Sequence, residues 1–253
     1  MGLDTFSLQN KLALITGGGT GIGLGIAKAF ISANAQVIIT GRREEVLKKA
    51  VEELGDNANY IVNDISDKSN IPELISHIEH RFGVIDILVN NAGVHLKKWA
   101  QDTSDNDFEN VINTNLLSVF SLTRECARKM IERKQGAIIL ISSMTALFGM
   151  DRVVAYGTSK TALTGLMNNL VTEYSKHHVR INAIAPGWIE SDMLHKALDV
   201  DKQRKDKIVN RIAMNHFGQP EDIGNTAIFL ASNASKYITG VTIPVDGGAK
   251  INF

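Results

Sequence analysis

A chain of 253 residues, 44% hydrophobic and 21% charged, has the size and make-up of one large globular domain or two small ones, and needs no disulfide or metal staple. Its 27 basic and 27 acidic residues cancel, which excludes a global field that would draw in nucleic acid or an acidic membrane. The single cysteine, Cys126, cannot close an internal disulfide, no stretch reaches 18 uninterrupted apolar residues, and no basic-then-apolar leader opens the chain, so a soluble, cytoplasmic protein is expected.

Short β-branched apolar runs alternate with helical patterns along the chain. Strands are predicted at 12–16, 37–40, 60–62, 85–89, 137–142, 181–185 and 242–245, and helices at 22–33, 44–54, 71–82, 107–133, 155–177 and 221–231. The strand runs are apolar on both faces, as strands covered by helices on both sides require. Such alternation implies right-handed crossovers and an α/β, doubly wound parallel sheet with helices on both faces. No linker or repeat divides the chain, so a single domain is expected. One polar stretch, about 188–219, breaks the rhythm and sits where a lid would cover the carboxyl ends of the strands, with Trp188, Met193, Leu194 and His195 as its wall.

Between the first strand and the first helix lies Thr16-Gly17-Gly18-Gly19-Thr20-Gly21-Ile22-Gly23. Glycines let the backbone turn sharply and approach a pyrophosphate, whose charge then meets free N–H groups at the helix start. The strict G-x-G-x-x-G spacing is absent, and no Gly-Lys-Ser/Thr follows to make a Walker A turn. The second strand ends on Thr40-Gly41-Arg42-Arg43, without the carboxylate that usually binds a ribose 2′-hydroxyl. Two guanidiniums suit a 2′-phosphate instead, so NADP(H) is preferred and NAD(H) use left open. The competing reading pairs Arg42 and Arg43 with Glu44 or Glu45. Asn63-Asp64-Ile65 at the third strand's end offers short polar groups to an adenine, and Asn90-Asn91-Ala92-Gly93 at the fourth offers small residues for close approach.

Tyr156 and Lys160 stand four apart at the start of a helical pattern and so share a face, and Ser143 follows the fifth strand. A phenol needs its pKa perturbed to work near neutrality, and a nearby ammonium, with the oxidised nicotinamide, is expected to lower it.

This ordered set resembles the short-chain dehydrogenase/reductase family over essentially the whole chain. The matching segments are Thr16–Gly23, Asn90–Gly93, Asn115–Phe120, Ser143 with Tyr156 and Lys160, Pro186-Gly187 and Val245–Gly248. The resemblance implies a seven-stranded sheet in the order 3-2-1-4-5-6-7 and a hydride transfer between a nicotinamide ring and a carbonyl or secondary alcohol. It makes Tyr156 the acid/base, Ser143 the hydroxyl that orients the carbonyl, and Lys160 the ribose ligand that tunes the tyrosine. Asn115 resembles the asparagine that holds a water in a relay to Lys160. Cofactor contacts are implied at Gly17, Gly19, Thr20, Gly21, Ile22, Gly23, Arg42, Arg43, Asp64, Ile65, Asn91, Ala92, Gly93, Tyr156, Lys160, Pro186, Gly187, Ile189 and Ser191. Thr20 stands where many NADP-dependent relatives carry Arg, whereas Arg42 sits where another NADP-dependent group places its basic residue. A homotetramer is also implied.

The chain looks nearest to sugar-acid dehydrogenases such as gluconate 5-dehydrogenase and to 3-oxoacyl-carrier-protein reductases. A keto sugar acid is the expected substrate, the carrier-bound 3-oxoacyl group the alternative. A sensor without catalysis has no need of Asn115, Ser143, Tyr156 and Lys160 together, and a sugar-nucleotide epimerase would carry a larger C-terminal domain. Lys97 and Lys98 are within reach of a substrate carboxylate in one reading and plain surface in the other. His77, Glu79 and His80 are read as a solvated helix face, so no metal is expected. Cys126 is read as structural.

Overall fold

The computed structural model describes residues 3–191, 194 and 202–252. Seven parallel strands make one sheet: β1 (Leu12–Thr16), β2 (Gln36–Gly41), β3 (Ala58–Val62), β4 (Ile87–Asn90), β5 (Gly136–Ile141), β6 (Val179–Pro186) and β7 (Thr242–Val245). Their order is β3-β2-β1-β4-β5-β6-β7, as expected. Period two sends alternate side chains of each apolar strand to opposite layers. Ala13 and Ile15 of β1 enter the layer under α1 (Gly21–Ser32), α2 (Glu44–Leu54) and α8 (Pro220–Ala231), with Phe30, Leu47 and Leu230. Leu12 and Leu14 enter the other, with Ile78, Leu122 and Met167, under α3 (Ile71–Phe82), α5 (Ser118–Glu132) and α6 (Val154–Tyr174).

Two helices and a widened turn replace the single helix predicted over 107–133. α4 (Asp105–Ile112) opens on a reciprocal cap: the Ser104 hydroxyl accepts from the Asp107 N–H, and the Asp107 carboxylate accepts from the Ser104 N–H, both at 3.2 Å. Asn113–Leu117 then adopt π geometry before α5 resumes. The Ser118 hydroxyl donates to the Asn113 carbonyl at 2.7 Å, and the buried Asn115 side chain is turned to the Val94 carbonyl behind the site. Such π turns inside helices often mark functional positions.

In the predicted lid, Lys202–Arg211 form a helix, α7, overlapping the run 199–207 whose alternating charges read as a solvated helix face. Its end packs in a small separate apolar cluster of Ile212, Phe217, Trp188 and Leu194. Met193 and His195 lie outside the described residues.

α8 fastens the far side of the molecule. Pro220 starts it, with Gln219 and Asp222 forming a reciprocal cap. It crosses α1 at close range: a Cβ on Gly224 would stand 2.9 Å from the Gly25 carbonyl oxygen, and one on Gly25 would stand 2.7 Å from that of Pro220. Arg180 closes its end, donating to the carbonyls of Leu230 (2.7 Å), Ala231 (3.2 Å) and Ser232 (3.2 Å) and to the Ser235 hydroxyl (2.8 Å). Burial holds the pKa of that guanidinium below its ordinary value.

Cys126 is buried, and burial pushes its thiol far up. Among the described residues no helix is long and apolar enough to cross a membrane, and no three His, Cys, Asp or Glu side chains gather as a metal site would need.

Candidate active site

Strand order reverses between β1 and β4, which opens a crevice at the carboxyl ends of the strands. A cleft of about 1220 Å³ runs along it. Every residue expected to touch the cofactor lines this cleft, as does Ser143; Asn115 does not.

At one end lies the glycine turn. Gly17 has φ +64°, and a Cβ on Gly23 would stand 2.3 Å from the Gly17 carbonyl oxygen, so neither position takes another residue without distortion. The Thr16 hydroxyl accepts the N–H groups of Asn91 and Ala92 at 3.0 Å each. The Asn91 amide donates back to the carbonyls of Thr16 (2.9 Å) and Gly17 (3.1 Å). Asn91 and Ala92 therefore tie the turn to β4, a supporting duty that their sequence position did not reveal. Thr20 precedes α1 in extended conformation, and its hydroxyl caps no helical N–H. The first N–H groups of α1 are thus left for an anion, which fits a pyrophosphate.

Beyond the turn stand Arg42 and Arg43, both exposed. Glu44 and Glu45 each pair with Lys48 at 3.3 Å, and Glu44 also accepts from the Tyr60 hydroxyl at 3.2 Å. The pairing of Arg42 or Arg43 with those acids does not form. Arg42 instead faces Asp64 at 4.0 Å. Asp64 accepts from the Ser66 N–H (2.9 Å) and hydroxyl (2.7 Å), bonds that, with Arg42, hold its carboxyl below the usual range. A Cβ on Gly41 would meet only Leu47, at 3.5 Å.

The reacting end is built on β5 and α6. Ser143 follows β5; its hydroxyl accepts the Thr145 N–H at 3.1 Å, and it lines the cleft together with Tyr156. Lys160, one turn beyond Tyr156, is 5% exposed. Its ammonium donates to the Ile141 carbonyl at 2.8 Å and lies 5.8 Å from the centre of the Tyr156 ring. Burial draws the Lys160 pKa down to about 8. For Tyr156, burial raises the phenol pKa, and the nearby Ser143 hydroxyl only partly offsets it. Desolvation dominates at the phenol, and the Lys160 ammonium is turned toward the Ile141 carbonyl.

Asn115 sits behind the cleft wall, fully buried. Its amide oxygen accepts the Val94 N–H at 2.8 Å, and its nitrogen donates to the Val94 carbonyl (2.9 Å) and the Ser159 hydroxyl (3.1 Å). Ser159 in turn donates to the Tyr156 carbonyl at 2.7 Å. One side chain thus braces both the β4 loop and the turn of α6 that carries Tyr156. On the opposite wall, a bridge to Gly218 engages the peptide groups of Trp188 and Glu190 on either side of Ile189. The Ser191 hydroxyl accepts the Leu194 N–H at 3.1 Å.

His95 was not anticipated. Its ring lies 4.6 Å from that of Tyr156, tilted by 52°, and it lines the cleft. A lone histidine carries no periodic signal, and only its place two residues after the Asn90–Gly93 loop pointed to it. Lys98 is held by Asp107 at 2.6 Å, so the reach to a substrate carboxylate considered for it does not form.

The fold and the cleft define a Rossmann-type oxidoreductase with a dinucleotide crevice and a Ser–Tyr–Lys group at its reacting end. Residues 17–250 match a family model described as enoyl-(acyl carrier protein) reductase. The chain is 41% identical over 248 residues to a 2-dehydro-3-deoxy-D-gluconate 5-dehydrogenase of Bacillus subtilis, covering 97% of this chain and 96% of the relative. It is 39% identical to a 3-oxoacyl-[acyl-carrier-protein] reductase of Rickettsia prowazekii, covering 95% and 97%. Its fold matches the crystal structure of a gluconate 5-dehydrogenase from Burkholderia cenocepacia in complex with NADP and tartrate, with a TM-score of 0.92, 34% identity and 98% of each chain covered. The chain belongs to the short-chain dehydrogenase/reductase family, and it is an NAD(P)-dependent oxidoreductase acting on CH–OH groups.

Proposed function

We propose that this enzyme interconverts a keto sugar acid and its secondary alcohol, with NADP(H) as the preferred partner. The observation that carries the chemistry is that Ser143 and Tyr156 line the cleft together with buried Lys160, whose ammonium lies 5.8 Å from the centre of the Tyr156 ring. The dinucleotide, when bound, supplies or takes up hydride at its nicotinamide ring. In reduction, Ser143 holds the carbonyl oxygen and Tyr156 gives it a proton; burial, which keeps the phenol protonated at neutral pH, suits that role. The Lys160 charge then stabilises the phenolate left behind. Asn115 contributes through its main chain at the π turn, since its side chain is engaged by Val94 and Ser159. Arg42, with Arg43 beside it, would hold the 2′-phosphate, and the α1 start the pyrophosphate. The sugar-acid substrate rests on the Bacillus subtilis relative and on the polar wall of His95, Glu190 and Ser191.

The Rickettsia prowazekii relative supports a second reading, reduction of carrier-bound 3-oxoacyl groups. Rates of NADPH oxidation on a panel of keto sugar acids and 3-oxoacyl thioesters separate the two. Higher kcat/KM on thioesters selects the second, and inertness toward both refutes the proposed chemistry. We further read the chain as one domain whose lid spans 188–219, acting in the cytoplasm as a homotetramer. Exposed Leu117, Phe120 and Val154 on one side, and Tyr237, Val241 and Ile251 on another, suit two interfaces between copies. A light-scattering mass near the 27.6 kDa of one chain would refute the assembly.

A further inference from the structure

We propose that His95 is a specificity-determining residue: its imidazole hydrogen-bonds a hydroxyl on the substrate carbon next to the reacting carbonyl. This rests on the oxidoreductase reading above but not on the identity of the sugar acid. Among the described residues neither ring nitrogen of His95 has a hydrogen-bond partner, although the ring lines the cleft and packs against the Tyr156 ring at 4.6 Å. Its position is set by the residue before it. Both polar groups of the Val94 peptide are clamped by Asn115, at 2.8 and 2.9 Å, so the chain leading into His95 has little freedom. The same Asn115 reaches the carbonyl of Tyr156 through Ser159, which ties the backbone leading into His95 to the turn of α6 that carries Tyr156.

A carbonyl oxygen held by Tyr156 and Ser143 therefore brings the neighbouring substrate carbon alongside the imidazole. Burial, and then the nearby Lys97 charge, hold the imidazole neutral, so it presents one donor and one acceptor. That pairing matches a hydroxyl, which also both donates and accepts, better than it matches a carboxylate. A plain ketone or the methylene of a 3-oxoacyl chain leaves both nitrogens without a partner. His95 thus favours α-hydroxyketones.

The test uses two small ketones that differ by one hydroxyl, 1-hydroxy-2-butanone and 2-butanone, with wild type, His95→Leu and His95→Gln. NADPH affinity, followed by fluorescence, reports on the integrity of each variant. One net hydrogen bond corresponds to about threefold to tenfold. His95→Leu is expected to raise KM for the hydroxyketone by that factor, with kcat little changed, NADPH affinity intact and 2-butanone unaffected. His95→Gln, which keeps a donor and an acceptor, should recover most of the loss. Equal losses on both ketones, or a loss confined to kcat, would overturn the inference and make His95 only a packing support for Tyr156. If keto sugar acids prove inert while the ketone pair still separates, the sugar-acid reading fails and the role of His95 stands.

Discussion

Replacing Lys160 with methionine is expected to yield a protein that unfolds at a higher temperature and has lost its activity. The lysine is 5% exposed, and burial alone draws its pKa from 10.5 to about 8. Near neutrality the folded chain therefore carries a charge in a place that disfavours it. Each pH unit between the two values corresponds to about 1.4 kcal/mol, so the destabilisation is about 3 kcal/mol. Methionine keeps an unbranched, adaptable stem and removes the charge, but it deprives the Ile141 carbonyl of its 2.8 Å donor. Losing that bond costs about 1 kcal/mol. The remaining gain of about 2 kcal/mol corresponds to roughly 4–8 °C in Tm for a chain of this size. Because the folded pKa lies below the unfolded one, the unfolded chain binds more protons between about pH 8 and 10.5. Wild-type stability should therefore rise across that window, and its deficit relative to Lys160→Met should shrink. Thermal unfolding of the ligand-free proteins at pH 7 and pH 9.5 measures both effects. A Lys160→Met protein less stable than wild type at pH 7, or a gap indifferent to pH, would refute the reasoning.

Tyr156→Phe should keep the ring against His95 and bind NADPH normally, yet lower kcat by about 10²–10⁴-fold; a loss under about tenfold in stopped-flow reduction would remove its acid role. Gly41→Asp has room beside Leu47, and its carboxylate would repel a 2′-phosphate. The kcat/KM ratio of NADPH to NADH should fall by about tenfold or more, and Arg42→Ala should lower it in the same direction; an unchanged ratio in both would make Arg42 a plain surface residue. Arg180→Leu strips the α8 end of its charged donor, so urea unfolding should show a loss of at least about 2 kcal/mol without a matching change in kcat.

What the sequence revealed follows from which forces are local. The bounds of β1, α2, α3 and β7 could be read from it because apolar period and flanking turn residues set them. The break at Asn113–Leu117 could not, because it depends on Asn115 reaching Val94, far away along the chain. α7 showed only through the alternating charges of 199–207, and its end at Arg211 did not, because its polar residues carry little of the apolar stripe that marks a helix. In the site, Ser143, Tyr156 and Lys160 were legible, but His95 and the electrostatics were not. Charge neighbours can be counted from spacing, whereas the burial that raises the Tyr156 pKa and lowers that of Lys160 exists only after folding. The Arg42 environment was likewise decided by Lys48, which takes Glu44 and Glu45 away from it.

The close crossing of α1 and α8 also bears on how the protein is made. α1 carries the phosphate turn at its start, yet the face that meets Gly224 stays uncovered until residues 220–231 have been synthesised. At about 5–20 residues per second, the intervening stretch takes roughly 10–40 s to emerge from a ribosome. Through that interval apolar residues such as Ile26 and Phe30, which later share a core with Ile223 and Leu230, lack their final neighbours. The glycine turn is thus translated long before the helix that covers α1. A ribosome-bound chain stalled at residue 219 is expected to pass through a nucleotide-affinity resin unretained, while the full-length chain is held.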